Sequence, residues 1–372
     1  MSLSIIVVTR PRELSEFIRL PWRIYENNPN WVPPLLMEQR ERFDCRRNPF
    51  YLHAKVQLFL ARQSDIPVGR IAAIVNHNHN RFHNDRVGFF GFFEVVENYE
   101  VAHLLLDTAK QSLAADGMEI MRGPMNFSTN EECGLLISAY DAPPYVMMAY
   151  NPPYYAEFLE RYGFVKAKDL LAFQMPLSDY TERVRKMVEH LEQRSAIRIR
   201  PFNLADFDAE VGRLKKAYNS AWEANWGFVP MTDEEFDHLA KQLRKVADPN
   251  LLLIAEDGDK PVGFALALPD FNQVLARLNG RLLPLGIFKL LWHQRRISRA
   301  RVILLGVVKE YRRLGVDIRF CHRLRENALR RGITKAEMSW VLEDNTVMIR
   351  VIEAIGGKRY KTYRVYDYRI QG

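Results

Sequence analysis

Two copies of one mixed α/β unit, each a mixed central sheet flanked by helices, form the architecture that this sequence predicts. Three observations lead to it. Strand-like and helix-like segments interleave along 372 residues, a length that suits two ordinary domains better than one. The order of segments in the first half recurs in the second. The halves also end alike. Asn151 precedes an amphipathic segment, Tyr162-Gly163-Phe164 and an apolar strand, while Asn345 precedes an amphipathic segment, Gly356-Gly357 and a Tyr-rich strand.

In the first half, Ile5–Val8 is apolar and β-branched and reads as a strand. Arg12–Tyr25 reads as a helix, followed by a Pro-rich loop to Leu36. Strands are expected at Val56–Arg62 and Val68–Val75 around the turn Asp65-Ile-Pro, and again at Val87–Val95. Leu104, Leu105, Ala109 and Leu113 share one face of a helix over Tyr99–Ala115, which Asp116-Gly117 ends. A strand at Met118–Arg122 enters a long loop. Pro152 and Pro153 then open a helix that stops at Gly163, and the strand Leu170–Met175 closes the unit. The second half reads as the strand Ile197–Pro201 and helices at Leu204–Trp222 and Thr232–Val246, the latter with a capping-box start. A hairpin follows, Leu251–Glu256 and Val262–Leu268. After an insertion over Asp270–Arg299 come the strand Val302–Val308, a helix from Arg313 to Arg331 and the strand Ala336–Val341. The helix Thr346–Ile355 and the strand Lys358–Ile370 finish the chain. The expected domains are 1–176 and 196–372, joined by a charged helix within 177–195.

Hydrophobic content of 48% and aromatic content of 12% fit a packed protein and exclude a disordered one. Cys45, Cys133 and Cys321 are too few and too scattered for a disulfide framework, which fits a reducing compartment. The opening residues read as a strand and not as a signal peptide, and no run of 18 apolar residues exists. A cytoplasmic protein is expected. The net charge of +8 is concentrated: residues 277–301 hold Arg277, Arg281, Lys289, Arg295, Arg296, Arg299 and Arg301 and no acid. Such a run is either a solvated face or a field for an anionic partner, whether cofactor phosphates, a membrane surface or nucleic acid. It lacks the interleaved aromatics and the reading motif of a nucleic-acid site, so no nucleic-acid partner is expected.

Residues 307–317, Val-Val-Lys-Glu-Tyr-Arg-Arg-Leu-Gly-Val-Asp, place a strand end, two arginines and a glycine before a helix. Helix N-termini carry unpaired N–H groups and a favourable dipole for anions. Arg312 and Arg313 add charge-assisted hydrogen bonds, and Gly315 allows a phosphate to approach the backbone. The plainer reading is an ordinary strand–turn–helix connection with a basic start. Asp317 opposes a phosphate, because a carboxylate in the first turn competes for the same positive end, where it gains roughly 0.3–1 kcal/mol.

This stretch resembles the acyl-CoA motif of the GNAT acetyltransferases, usually written V-x-P-x-Y-R-x-x-G-x-G/A, with Lys309 in place of proline and Asp317 in place of the last small residue. Ser339-Trp-Val-Leu-Glu-Asp-Asn345 is similar to the family's strand ending in Asn before a helix. Residues 197–370 thus look like one GNAT domain, and 4–176 like a second that lacks the arginine-glycine loop, as in tandem-GNAT proteins with one degenerate half. The resemblance implies acetyl-CoA or another acyl-CoA as cosubstrate and a small-molecule or peptide amine as acceptor. Val307, Val308, Arg312, Arg313, Gly315 and Val316 would hold the cofactor, and Asn345 would orient its arm or nearby backbone. The family's acid is often a tyrosine seven residues after that Asn; here the position is Ile352. No carboxylate lies on Val302–Val308, so no catalytic residue is assigned. Tyr360, Tyr363 and Tyr366 are substitutes for the acid or ordinary sheet packing. The functional expectation is an acyl-CoA-dependent N-acyltransferase; the alternative is a non-catalytic ligand-binding protein on the same fold.

Three further stretches invite readings. The loop over 123–155 supplies the polar residues Asn126, Ser128, Asn130, Glu131, Cys133, Asp141 and Asn151 among Tyr145, Tyr150, Tyr154 and Tyr155. It is an acceptor pocket or an Ω-loop packed on its own aromatics. His77, His79 and His83 suggest a metal less than a polar turn, and no metal is expected. Residues 282–296 are apolar and then basic, which suits either packing within the protein or a peripheral membrane contact.

Overall fold

The computed structural model describes residues 2–178, 181–222, 225–244, 246–284 and 286–370, and these divide into two compact units. Asp179 and Tyr180 of the expected connecting helix, Lys245 near the end of the expected helix 232–246, and Leu285 of the insertion lie outside the described residues. The first unit holds the chain to Leu170 together with Leu275–Gly286 and the residues from Lys361 onward. The second holds Leu171–Val274 and Ile287–Tyr360.

The first unit runs β1 (Leu3–Val7), α1 (Pro11–Ile24), α2 (Leu36–Arg42), β2 (Ala54–Gln63), β3 (Ile66–Asn76), α3 (His77–His83), β4 (Val87–Val95), α4 (Tyr99–Ala115), β5 (Ile120–Gly123), β6 (Leu135–Leu136), α5 (Tyr154–Tyr162) and the start of β7 (Val165–Pro176). Strands β1 to β4 pair antiparallel, and β5 joins parallel to β4. Helix α4 is capped by Asn98, whose side chain accepts from Glu100 N–H, and buries Ala102, Leu105, Leu106, Ala109 and Leu113. The buried stripe therefore centres one position beyond the one expected, with Leu104 only half-buried. Gly163 ends α5 at φ 109°, a left-handed conformation that glycine adopts without a Cβ penalty.

The histidine segment departs from expectation: it is the short helix α3 and not a turn. Asn76 Oδ1 accepts from Asn78 and His79 N–H at 3.0 and 3.1 Å, and Asn84 closes the helix in the left-handed region. His79 is buried edge-on to Phe89, and burial pushes its pKa down to about 3.

The second unit continues with α6 (Glu182–Arg194), β8 (Arg198–Pro201), α7 (Phe207–Trp222), α8 (Asp233–Leu243), β9 (Leu252–Asp257), β10 (Lys260–Pro269), α9 (Asn272–Leu275), α10 (Gly286–His293), β11 (Arg299–Val307), α11 (Val316–Arg330), β12 (Lys335–Leu342), α12 (Thr346–Ala354) and the start of β13 (Lys358–Arg369). Strands β8 to β11 are antiparallel and β12 is parallel to β11. Thr232 and Glu235 make the capping box at the start of α8. One sheet face packs on α11 through Ala300, Val307, Phe320 and Leu324, and the other receives Tyr218 and Phe228 against Phe264. Both units are thus mixed α/β, each a mixed sheet with helices against it.

Strand β13 passes from one unit to the other. From Lys361 it belongs to the first unit, where Tyr366↔Gly123 to Arg369↔Ile120 pair it antiparallel with β5 and Tyr363↔Leu136 pairs it with β6. Arg122 binds Asp367 with two hydrogen bonds, at 2.7 and 2.8 Å, across that pairing.

In the first unit, β4 and β5 pair only from Val87↔Ile120 to Phe89↔Arg122. Beyond that point the chain after β5 takes over the edge of β4. Met125 N–H donates to Phe90 O at 2.8 Å, and Asn126 Oδ1 accepts from Phe92 N–H at 2.8 Å. This close approach requires glycine at 91, where a Cβ would stand 1.9 Å from Met125 O. Gly91→Ala should therefore cost about 1–3 kcal/mol of stability, read as a lower urea midpoint. An unchanged midpoint would mean that residues 125–126 are not seated on β4.

Candidate functional site

The same parting of strands in the second unit is not filled in the same way. Strand β11 pairs with β10 from Pro269↔Ala300 to Gly263↔Val307, but with β12 only from Arg299↔Lys335 to Val302↔Met338. Both strands run on, β11 to Val307 and β12 to Leu342, so they separate past Val302 and Met338. At the point of separation the register with β10 shifts between Leu266 and Ala267, which leaves Ile303 as an extra residue on β11. Such a bulge bends the strand that carries it. Val308 N–H donates to Val262 O at 2.9 Å. The alternation of an antiparallel ladder then turns the backbone groups of Val307 and Leu305 away from β10, toward the opening.

The opening leads to the arginine-glycine loop. After Val307 comes one turn of 3₁₀ helix at Lys309–Tyr311, then Gly315 at φ 69° as the cap residue of α11. Arg312 Nε donates to Val307 O at 3.1 Å, so this arginine bends back onto the strand end, while Arg313 stays exposed. Val316 is fully buried in the core and contributes its backbone alone to the helix start. Asp317 turns inward. Its Oδ1 accepts from Ile318 N–H at 2.9 Å, one of the first-turn amides that an incoming anion would use. Burial raises its pKa above the usual carboxylate range, against the backbone hydrogen bonds that favour the charged form.

The two later family positions are also placed. Asn345 caps α12, its Oδ1 accepting from Met348 N–H at 3.2 Å. Ile352 is fully buried on the inner face of α12, in the same apolar cluster as Phe320.

A carboxylate that sequence reasoning missed lies on the strand beside the expected one. Glu337 on β12 is fully buried and sits directly across from Arg301, one pair below the point where the strands part. Ser339 Oγ donates to Glu337 Oε1 at 2.5 Å, and the Tyr360 hydroxyl donates to Oε2. Arg301 reaches Ser339 Oγ at 2.8 Å and lies 3.9 Å from the carboxylate. Because Ala300, Val302, Ala336 and Met338 face α11, the alternation of the strands puts Arg301 and Glu337 on the opposite face. The sequence signal was an acid at alternating position within the otherwise apolar strand Ala-Glu-Met-Ser-Trp. The first unit holds a comparable cluster. Glu94, near the end of β4, accepts from the Tyr25 and Tyr155 hydroxyls at 2.8 and 2.9 Å with Arg70 3.7 Å away, and burial raises its pKa.

The residues expected as an acceptor pocket mostly bond to their own loop and its neighbours. Asn126 spans Phe92 N–H and Glu132, Ser128 accepts from Asn130 N–H, and Glu131 lies 3.5 Å from Arg42. The Tyr150 hydroxyl donates to Tyr140 O at 2.9 Å and the Tyr154 hydroxyl to Val95 O at 2.8 Å. Asn151 is buried against both backbone groups of Leu136. Asp141 is exposed. Burial pushes the Cys133 thiol up to about 12.

Gly315 is the residue on which the loop's shape rests. A side chain there would adopt a left-handed backbone and meet Leu191 Cδ1 at 2.7 Å. Gly315→Ala should destabilise the protein by roughly 1–2 kcal/mol from the backbone conformation alone, measured by chemical denaturation. Stability equal to that of the natural protein would exclude a left-handed residue at this cap.

With this geometry in place, the chain was compared with known proteins. Residues 212–356 match the model of the acetyltransferase (GNAT) family. A bacterial ceramide synthase from Caulobacter vibrioides is 37% identical across 98% of this chain and 97% of its own length. Protein YghO from Escherichia coli is 36% identical across 96% of this chain and 93% of its own. Among solved structures, a tandem GNAT protein from the clavulanic acid biosynthesis pathway superimposes with a TM-score of 0.61 at 11% identity, covering 100% of this chain and 99% of that one, a likeness of fold. The chain belongs to the GNAT family of acyltransferases in its tandem form, related along nearly all of its described sequence to the Caulobacter and Escherichia proteins.

Proposed function

We propose that this chain transfers a fatty acyl group from acyl-CoA to the amine of a long-chain amino alcohol. The observation that carries the reading is the separation of β11 and β12 beyond Val302 and Met338, which turns strand backbone toward an opening that leads to Gly315 and the start of α11. The name of the Caulobacter relative supplies the chemical classes, a ceramide being the amide of a fatty acid and a long-chain amino alcohol. A fatty acyl donor takes the place of the acetyl donor expected by default.

The donor set fits an acyl-CoA in part. Leu305 and Val307 offer backbone groups to its arm, and Arg312, Arg313, Gly315 and the first-turn amides offer a seat for its phosphates, with Asn345 holding the neighbouring helix start. When bound, the thioester supplies an activated carbonyl. Tyr360 and Glu337 supply the proton path: the hydroxyl takes a proton from the attacking amine as its own passes to the carboxylate it already contacts. Asp317 works against the seat. Like charges about 4 Å apart repel by roughly 1–4 kcal/mol between bulk water and a protein surface.

Two outcomes test this. Tyr360→Phe and Glu337→Gln should each lower kcat by roughly 10²–10⁴-fold with KM for acyl-CoA little changed, measured by mass spectrometry of the amide product; full activity in both would remove the proton path. Asp317→Gly should tighten acyl-CoA binding in isothermal titration, and unchanged affinity would place the phosphates elsewhere. Asp317 and Ile352 favour a second reading, a binding protein without turnover. Acyl-CoA binding with no amide formed from any long-chain amine would select it.

A further inference from the structure

We infer that α10 and the basic residues behind it hold this protein on an anionic lipid surface. The helix is inverted relative to an ordinary surface helix. At about 100° per residue, Ile287, Leu291, Phe288 and Trp292 fall on one continuous arc, and that arc faces solvent. Their exposures are 37%, 53%, 68% and 65%, whereas Leu290 and His293 on the other side are half-buried. An apolar helix face is normally turned into the core, so large exposed side chains on one arc mark a surface that something covers.

The charges beside the arc say what covers it. Lys289, Arg295 and Arg296 are exposed, and none of them takes part in an ion pair among the described residues. The Arg296 guanidinium lies 5.3 Å from the Trp292 ring, which places a cation at the rim of the apolar patch. No acid occurs anywhere in residues 277–301. A protein partner of mixed charge would leave these cations unmatched over much of the contact. A bilayer with anionic headgroups matches both features, accepting the apolar side chains at the acyl boundary and the cations at the phosphates. Among the described residues no helix is long and apolar enough to cross a membrane, so the attachment is peripheral. The inference does not depend on the proposed acyl transfer.

The test is co-sedimentation of the full chain with vesicles of phosphatidylcholine alone and of phosphatidylcholine mixed with phosphatidylglycerol. The protein should bind the mixed vesicles, and added salt should release it. The pair Phe288→Ser with Trp292→Ser, and separately the pair Arg295→Gln with Arg296→Gln, should each weaken binding roughly tenfold or more. Unfolding midpoints equal to that of the natural protein will show that both pairs leave the fold intact. Failure to bind mixed vesicles, or equal binding by both variant pairs, overturns the inference. A dimer in sedimentation velocity that the Phe288 and Trp292 pair abolishes, without vesicle binding, also overturns it and assigns the patch to a second copy of the chain.

Discussion

Pairing between β11 and β12 stops at Val302 and Met338 while both strands continue, and the chemistry open to the second unit follows from that stop. A sheet ordinarily satisfies every backbone group of an interior strand. Here β11 is interior yet has one edge turned to an opening over Leu305 and Val307, with the bulge at Ile303 setting the angle. The loop that follows ends on a left-handed glycine, which aims the amides of α11. Glu337 and Tyr360 lie at the closed end of the same opening, on the sheet face away from α11.

The first unit shows what becomes of the same arrangement when it is occupied from within. There β4 and β5 also separate after three paired positions, but Met125 and Asn126 supply the missing hydrogen bonds, and Gly91 lets them come close. The helix that follows β4 starts at a capping asparagine, with no arginine or glycine before it. The two units therefore share an order of elements and differ in whether a strand edge is left for a ligand.

Much of this was legible in the sequence. The alternation of strands and helices, the matched endings at Asn151 and Asn345, and the layout of 307–317 depend on local patterns, and local patterns survive folding. What escaped is what depends on partners distant in sequence. Glu337 was overlooked because attention fell on Val302–Val308, and only the parallel pairing of β11 with β12 shows which residue of the neighbouring strand shares its level. The orientation of Asp317 was open for the same reason, since a first-turn carboxylate can point outward or onto its own amides. In the loop 123–155 the composition of a pocket and that of a self-bonded loop are alike, and hydrogen bonds to Phe92, Val95 and Leu136 tell them apart. The histidine segment became a helix because Asn76 caps it, a role not visible while the stretch was read as a turn.

The last strand bears on how this chain came to be built and how it can be taken apart. Lys358–Tyr360 belong to the second unit, yet from Lys361 onward β13 completes the sheet of the first by pairing with β5 and β6. A gene cut between the repeated halves would yield an N-terminal fragment with β5 left as a bare edge and Arg122 without its carboxylate. The two copies are therefore no longer separable modules. Whatever duplication made them, an exchange at the C-terminus has since bound the history of one half to the other, and a degenerate first half cannot be discarded without unravelling its own sheet.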